Sequence, residues 1–166
     1  MIKRILVPHD FSDLGARASR VAAELATQCN AEIVLFHVSD LAGELSPSTL
    51  IKPEGEPAPI TVAQYTARGA RRRLEELAAD LRVSRVRCEV DFGDVGERIL
   101  EAIERFRVDA VVMGTHGRTG IASVLLGSVA EFVLRRATVP VVTCRGHGGE
   151  ARLTPEEEAA QDELAG

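Results

Sequence analysis

The sequence predicts an α/β fold in which one parallel sheet is covered by helices on both faces. Three observations predict it. Short, continuous apolar runs such as Ile5-Leu6-Val7, Ile33-Val34-Leu35-Phe36 and Ala110-Val111-Val112-Met113 have the pattern of strands buried on both sides. Between them lie longer segments with apolar residues at helical spacing. The two kinds alternate along the chain as far as residue 146, as βαβ units do.

The first strand covers residues 4–7, and Pro8 ends its ladder because proline has no N–H to donate. Ser12 or Asp13 then caps a helix over residues 13–28, with Leu14, Ala18, Val21, Ala22, Leu25 and Ala26 on its apolar face. The second strand covers 31–38. Residues 41–60 read as an irregular insertion, since Pro47, Pro53, Pro57 and Pro59 forbid regular structure through most of it. Thr61-Val62-Ala63-Gln64 is a capping box opening a second helix to about residue 82, with Ala70, Leu74, Leu77, Ala78 and Leu81 facing the core. A third strand covers 86–92. Gly93 turns it, and Asp94, with Glu97 at N3, caps a third helix that buries Val95, Ile99, Ile103 and Phe106. The fourth strand covers 110–113 and the fifth 140–144.

The most informative stretch is 111–137, VVMGTHGRTGIASVLLGSVAEFVLRRA. A buried strand ends at Met113, the chain breaks at Gly114, Gly117 and Gly120, and a helix starts at Gly127-Ser128. Glycines alone are explained by a turn, and Ser128-Val129-Ala130-Glu131 is by itself a capping box. The length of the connection points further. A plain βα turn takes about 2–6 residues, whereas this one runs from 114 to 126 with glycine at both ends. Such a loop entering a helix N-terminus can aim backbone N–H groups at an anion. It is not a Walker A loop, because no Gly-Lys pair occurs in the chain. It is not a dinucleotide fingerprint either, since its first two glycines are three apart.

Composition narrows the function classes. The 166 residues suit one domain, and 45% hydrophobic with only 4% aromatic implies an aliphatic core. Cys29, Cys88 and Cys144 are scattered and odd in number, as expected of small buried side chains in a reducing compartment. Residues 147–166 carry six acids against Arg152, which is the whole formal net charge of −5. The body is therefore near neutral and lacks the basic footprint of a nucleic-acid binder. Arg71-Arg72-Arg73 reads as a solvated helix face. No run is long enough to span a bilayer, and the N-terminus lacks the apolar core of a signal peptide, so a cytoplasmic location is expected. No histidine spacing suggests a metal site. The expected organisation is a domain over 1–146 and an acidic tail over 147–166. The break Gly146-His147-Gly148-Gly149 separates them, and Thr154-Pro155-Glu156-Glu157 starts a short, loosely attached helix in the tail.

The opening ILVPHDFSDLG, the second strand ending in FHVSD, the spacing Gly114-x2-Gly117-x9-Gly127-Ser128 and the closing VPVVT resemble the universal stress protein family, in the branch that binds ATP. The resemblance covers residues 2–145. It implies a single doubly wound, Rossmann-like sheet of five parallel strands in the order 3-2-1-4-5. Right-handed crossovers limit the topologies, but periodicity alone leaves that order open. Ligands in such sheets bind beyond the strand C-termini where the order reverses, here between the first and fourth strands.

By that resemblance Asp10, beside Pro8, and Val38 contact adenosine, and Met113 lies near it. Gly114, Gly117, Gly127, Ser128 and Val129 hold the ribose and phosphates of ATP, with Mg²⁺ bound through the phosphates. Arg118 either adds a cationic contact or faces solvent. His9 stands where the resemblance implies a smaller residue, so its ring either stacks on the base or crowds it. His37 reads as a packed strand-end histidine. The expected function is that of a nucleotide-responsive stress regulator with little or no catalysis. The alternatives are a relative that acts through protein contacts without nucleotide, and a slow ATP-hydrolysing enzyme. Asp10 is the only acid placed at the site. The fifth strand, 139–144, has no charge from Val141 to Cys144 and proline only near its start. It is an edge able to pair with its own copy in a homodimer.

Overall fold

The computed structural model describes residues 1–39, 46–55, 57–115 and 126–145. Five parallel strands form the sheet: β1 Arg4–Pro8, β2 Glu32–Ser39, β5 Val86–Phe92, β6 Ala110–Gly114 and β7 Val141–Cys144. Their order is β5-β2-β1-β6-β7, which is 3-2-1-4-5 counted among the sheet strands, as the resemblance implies. Ile5 of β1 stands opposite Ile33 on one side and Ala110 on the other.

The period-2 alternation of the strands divides the interior into two layers. Ile5, Val7, Ile33, Leu35 and Val112 face α1 (Asp13–Cys29) and α2 (Val62–Asp80), where Ala18, Ala22, Ala26 and Leu74 complete the layer. Leu6, Val34, Phe36, Val111 and Met113 face α3 (Val95–Phe106) and α4 (Ser128–Arg136), packing on Ile99, Ile103, Phe106, Ala130 and Val133. The alanines of α1 let that helix lie close to the sheet. Between α3 and α4 the close approach falls at Gly96, where a Cβ would lie 2.6 Å from Cδ1 of Phe132.

Local chemistry sets the helix starts. The Ser12 hydroxyl accepts from the Gly15 N–H, and Asp94 accepts from Glu97. Thr61 and Gln64 form the expected reciprocal capping box. At the opposite end of the sheet from the strand C-termini, one carboxylate oxygen of Asp109 accepts from the N–H groups of Lys3 (2.7 Å) and Arg4 (2.9 Å). Those backbone donors hold its carboxyl below the usual range.

The proline-rich insertion is more ordered than expected. Leu50–Ile51 (β3) and Ile60–Thr61 (β4) form a small antiparallel ladder. All four prolines lie outside the paired residues, so none removes a ladder donor. The tail expected over 147–166 lies outside the described residues.

The two edges of the sheet differ. β5 carries alternate charges, with Glu89 paired to Arg87 (2.5 Å) and Arg71 (3.7 Å), and Asp91 paired to Arg105 (3.0 Å). β7 carries none, and its Val142 is 39% exposed.

Candidate functional site

Adjacent strands β1 and β6 send their chains to opposite faces, β1 into α1 and β6 toward α4. A crevice therefore opens beyond their C-terminal ends, with two helix N-termini at its rim.

On the β6 side, Gly114 pairs with Cys144. The next residue, Thr115, is 1% exposed; its N–H donates to the Cys144 carbonyl (3.0 Å) and its own carbonyl accepts from the Gly127 N–H (2.7 Å). That last bond pins together the two ends of the glycine loop. His116, Gly117, Arg118 and Gly120 lie outside the described residues. Gly114 has a packing reason to be glycine, since a Cβ there would lie 3.1 Å from Cβ of Leu14 in α1.

The helix start differs from the capping box read in the sequence. Gly127 is the N-cap, at φ −61 and ψ 147, and Ser128 is already the first helical residue. A side chain caps at the N-cap position and not one residue later, so Ser128 and Glu131 form no capping box. The Glu131 carboxylate instead pairs with Arg135 at 2.7 Å. Among the described residues the first turn of α4 thus shows no side-chain cap. Its N–H groups and the positive end of the helix dipole lie at the crevice.

On the β1 side, one turn holds several groups. The Asp10 carboxylate Oδ1 accepts from the Ser12 N–H (3.1 Å) and the Ser12 hydroxyl (2.6 Å). Gly15 leaves the room for this, because a Cβ there would sit 2.9 Å from that oxygen. His9 is 4% exposed, and its ring lies against Gly15, whose Cβ would be 3.2 Å from Cε1 and Nε2. The ring is thus packed against α1 and does not line the open crevice, contrary to both expected roles. Its Nδ1 accepts from the Phe11 N–H at 2.9 Å. Burial pushes the His9 pKa down to about 4, helped by His37 and Arg73 and opposed by the Asp10 carboxylate. His37 is buried as expected, with Nδ1 2.7 Å from the His9 carbonyl.

The apolar residues named from the sequence meet on one face. Val38, Met113 and Val129 all belong to the α3/α4 layer, with Pro8 ending the strand beside them. Met113 is only 4% exposed and forms a floor. Val95, expected on the buried face of α3, and Leu126, which was not named as a site residue, join the same layer. Leu126 is signalled only by standing directly before Gly127. Among the described residues there is no group of three His, Cys, Asp or Glu able to hold a metal ion, and no helix long and apolar enough to cross a membrane.

Comparison with known proteins agrees with this architecture. A profile of the universal stress protein family matches residues 1–145. Universal stress protein MJ0531 of Methanocaldococcus jannaschii is 31% identical over 146 residues, which is 87% of this chain and 83% of its own. The solved structure of MJ0577 from the same organism aligns with a TM-score of 0.72 and 26% identity, over 90% of this chain and 99% of that one. A universal stress protein solved in complex with cAMP aligns with a TM-score of 0.63 over 87% of this chain and 97% of that one, and at 20% identity it bears on the fold alone. With its strand order, its two helical layers and nearly its whole described length matched, the chain belongs to the universal stress protein family.

Proposed function

We propose that this chain binds ATP at the crevice between β1 and β6 and acts as a nucleotide-responsive regulator with little or no turnover. One observation carries the reading: α4 opens at the sheet's reversal point with Gly127 as N-cap and, among the described residues, no side-chain cap. A nine-residue helix left in this way presents N–H groups and a partial positive charge that suit a phosphate. Beside it, Val38 and Val129 over the Met113 floor offer an apolar surface suited to a base. In this reading Asp10, next to Pro8, and Val38 contact the adenosine. Gly114, Gly117, Gly127, Ser128 and Val129 hold ribose and phosphates, Arg118 adds charge from within the loop, and Mg²⁺ is bound through the phosphates. The solved family member in complex with cAMP is a precedent for an adenine nucleotide on this fold. The reading of little or no turnover is supported by Asp10: its Oδ1 already accepts two bonds from Ser12, which suits a positioning carboxylate better than a general base.

The test is a thermal shift. Ligand at 100 times its Kd stabilises by about 2.7 kcal/mol, roughly a 5–10 °C rise in Tm for a domain of this size. Gly127→Val removes the rise by blocking close approach of phosphate. The variant still folds, because φ −61 and ψ 147 are open to any residue. No shift of the wild type with millimolar ATP and Mg²⁺ rejects the reading and favours a role through protein contacts. Hydrolysis at the about 1–100 s⁻¹ typical of kinases, lost in Gly127→Val, replaces it with an enzyme.

A further inference from the structure

We propose that His9 is a positioning residue: its ring, buried against α1, fixes the Asp10 carboxylate, which packs against the same Gly15, within the β1–α1 turn that follows the C-terminal end of β1. The proposal rests on the nucleotide-binding reading for its consequence, but its geometry stands on the turn itself.

The Phe11 N–H is only a donor, so the His9 Nδ1 it meets at 2.9 Å carries a lone pair and the ring proton sits on Nε2. The acceptor on residue 9 and the donor on residue 11 close a ring around Asp10, as the side chain of an Asx-turn does. The turn has a reason to need closing. Phe11 has φ +64, a left-handed conformation that a bulky side chain rarely adopts. Three further contacts hold Phe11 in it. Its ring packs 4.5 Å from that of His37 and 5.3 Å from that of His9, and the Arg73 guanidinium lies 3.8 Å from the Phe11 ring centre. His37 in turn donates from Nδ1 to the His9 carbonyl at 2.7 Å, tying the turn to β2. Asp10 thus lies between two residues anchored from below, and its Oδ1 is aimed at the Ser12 N–H and hydroxyl.

An ordinary core histidine would satisfy both nitrogens. Here Nε2 is buried with no hydrogen-bond partner among the described residues, whereas Nδ1 is bonded. The side chain is thus placed for what Nδ1 does. A shorter residue with an acceptor two bonds from Cβ can make the same bond, and an apolar one of similar volume cannot. That contrast separates positioning from packing.

The experiment compares wild type, His9→Asn and His9→Leu. Amide hydrogen exchange at Phe11 and Ser12 is read without nucleotide, and ATP·Mg²⁺ affinity by calorimetry. His9→Leu is expected to speed exchange at both amides at least tenfold and to weaken ATP at least tenfold. His9→Asn stays within threefold of wild type in both. The ¹⁵N spectrum of wild-type His9 is expected to show a neutral ring with its proton on Nε2. A proton on Nδ1, or asparagine and leucine variants that behave alike, overturns the proposal. If the wild type binds no ATP, the nucleotide reading fails, and the exchange contrast alone decides whether His9 orders the turn. If ATP binds and only the contrast is missing, the nucleotide reading stands and this proposal falls.

Discussion

Lowering the pH should destabilise this protein through His9, by an amount the structure sets. Burial holds the folded pKa at about 4, against 6.5 for a free histidine. Between those values the unfolded chain binds a proton that the folded chain refuses, so stability rises with pH there. The contribution is complete above about pH 6.5 and is lost progressively as pH falls toward 4. The gap of about 2.5 units is worth roughly 3 kcal/mol in full, at about 1.4 kcal/mol per unit. Between pH 7.5 and pH 5 it amounts to about 2 kcal/mol. Protonation also places an N–H at Nδ1 against the Phe11 N–H, so the cost falls on the turn that carries Asp10. Urea unfolding of nucleotide-free protein at pH 5, 6 and 7.5 measures it, with His9→Asn as the reference lacking this group. Every other titrating group is common to the two proteins, so the difference between their slopes isolates His9. Wild type and variant that lose stability in parallel over this range, within about 0.5 kcal/mol, refute the reasoning.

Three other outcomes are expected. Gly96→Ala drives a methyl group to 2.6 Å from the Phe132 ring and should cost about 1–3 kcal/mol in urea unfolding by wedging α3 from α4. Thr61→Ala removes the hydroxyl that accepts from the Gln64 N–H, while the backbone N–H of residue 61 still donates to the Gln64 side chain, and should cost about 1 kcal/mol with an unchanged m-value. The ladder bonds from Val111 to Pro140 and from Thr115 to Cys144 place residues 140, 142 and 144 inward, so the outward donors of β7 belong to 141 and 143. If the chain forms a homodimer through β7, Thr143→Pro should convert it to monomer in light scattering at micromolar concentration while leaving Tm nearly unchanged.

Much of the fold was legible because β1, β2 and β6 each hold an uninterrupted apolar run and each long helix opens on a side-chain cap. Val86–Phe92 and the caps at Thr61 and Asp94 were placed to the residue, and of the two candidates Ser12 and Asp13 for the first helix it is Ser12 that caps. The error at α4 has a simple cause. The string Ser-x-x-Glu is the same whether serine is the N-cap or the first helical residue, and only the backbone tells them apart. The β3–β4 ladder was hidden by prolines that flank the pairing without entering it. At the site, the sequence indicated the apolar face through Val38, Met113 and Val129. It gave no hint that Phe11 turns left-handed or that His9 packs beneath Asp10, because both depend on contacts between β1, β2, α1 and α2. Gly114 shows the reverse case: a glycine read for phosphate approach also answers to Leu14 across a helix.

The unequal edges of the sheet fix a valence. A chain with two uncharged edges has two sites for strand addition and can grow without limit, whereas a chain with one can only terminate another. The paired charges of β5, Glu89 with Arg87 and Arg71 and Asp91 with Arg105, hold that edge at zero, and uncharged β7 leaves the other at one. If copies add strand to strand at β7, the association therefore closes at two, and the charges that limit it lie on the far side of the sheet from that edge. Stripping Arg87, Glu89 and Asp91 to valine would raise the valence to two and turn a self-limiting contact into a polymerising one.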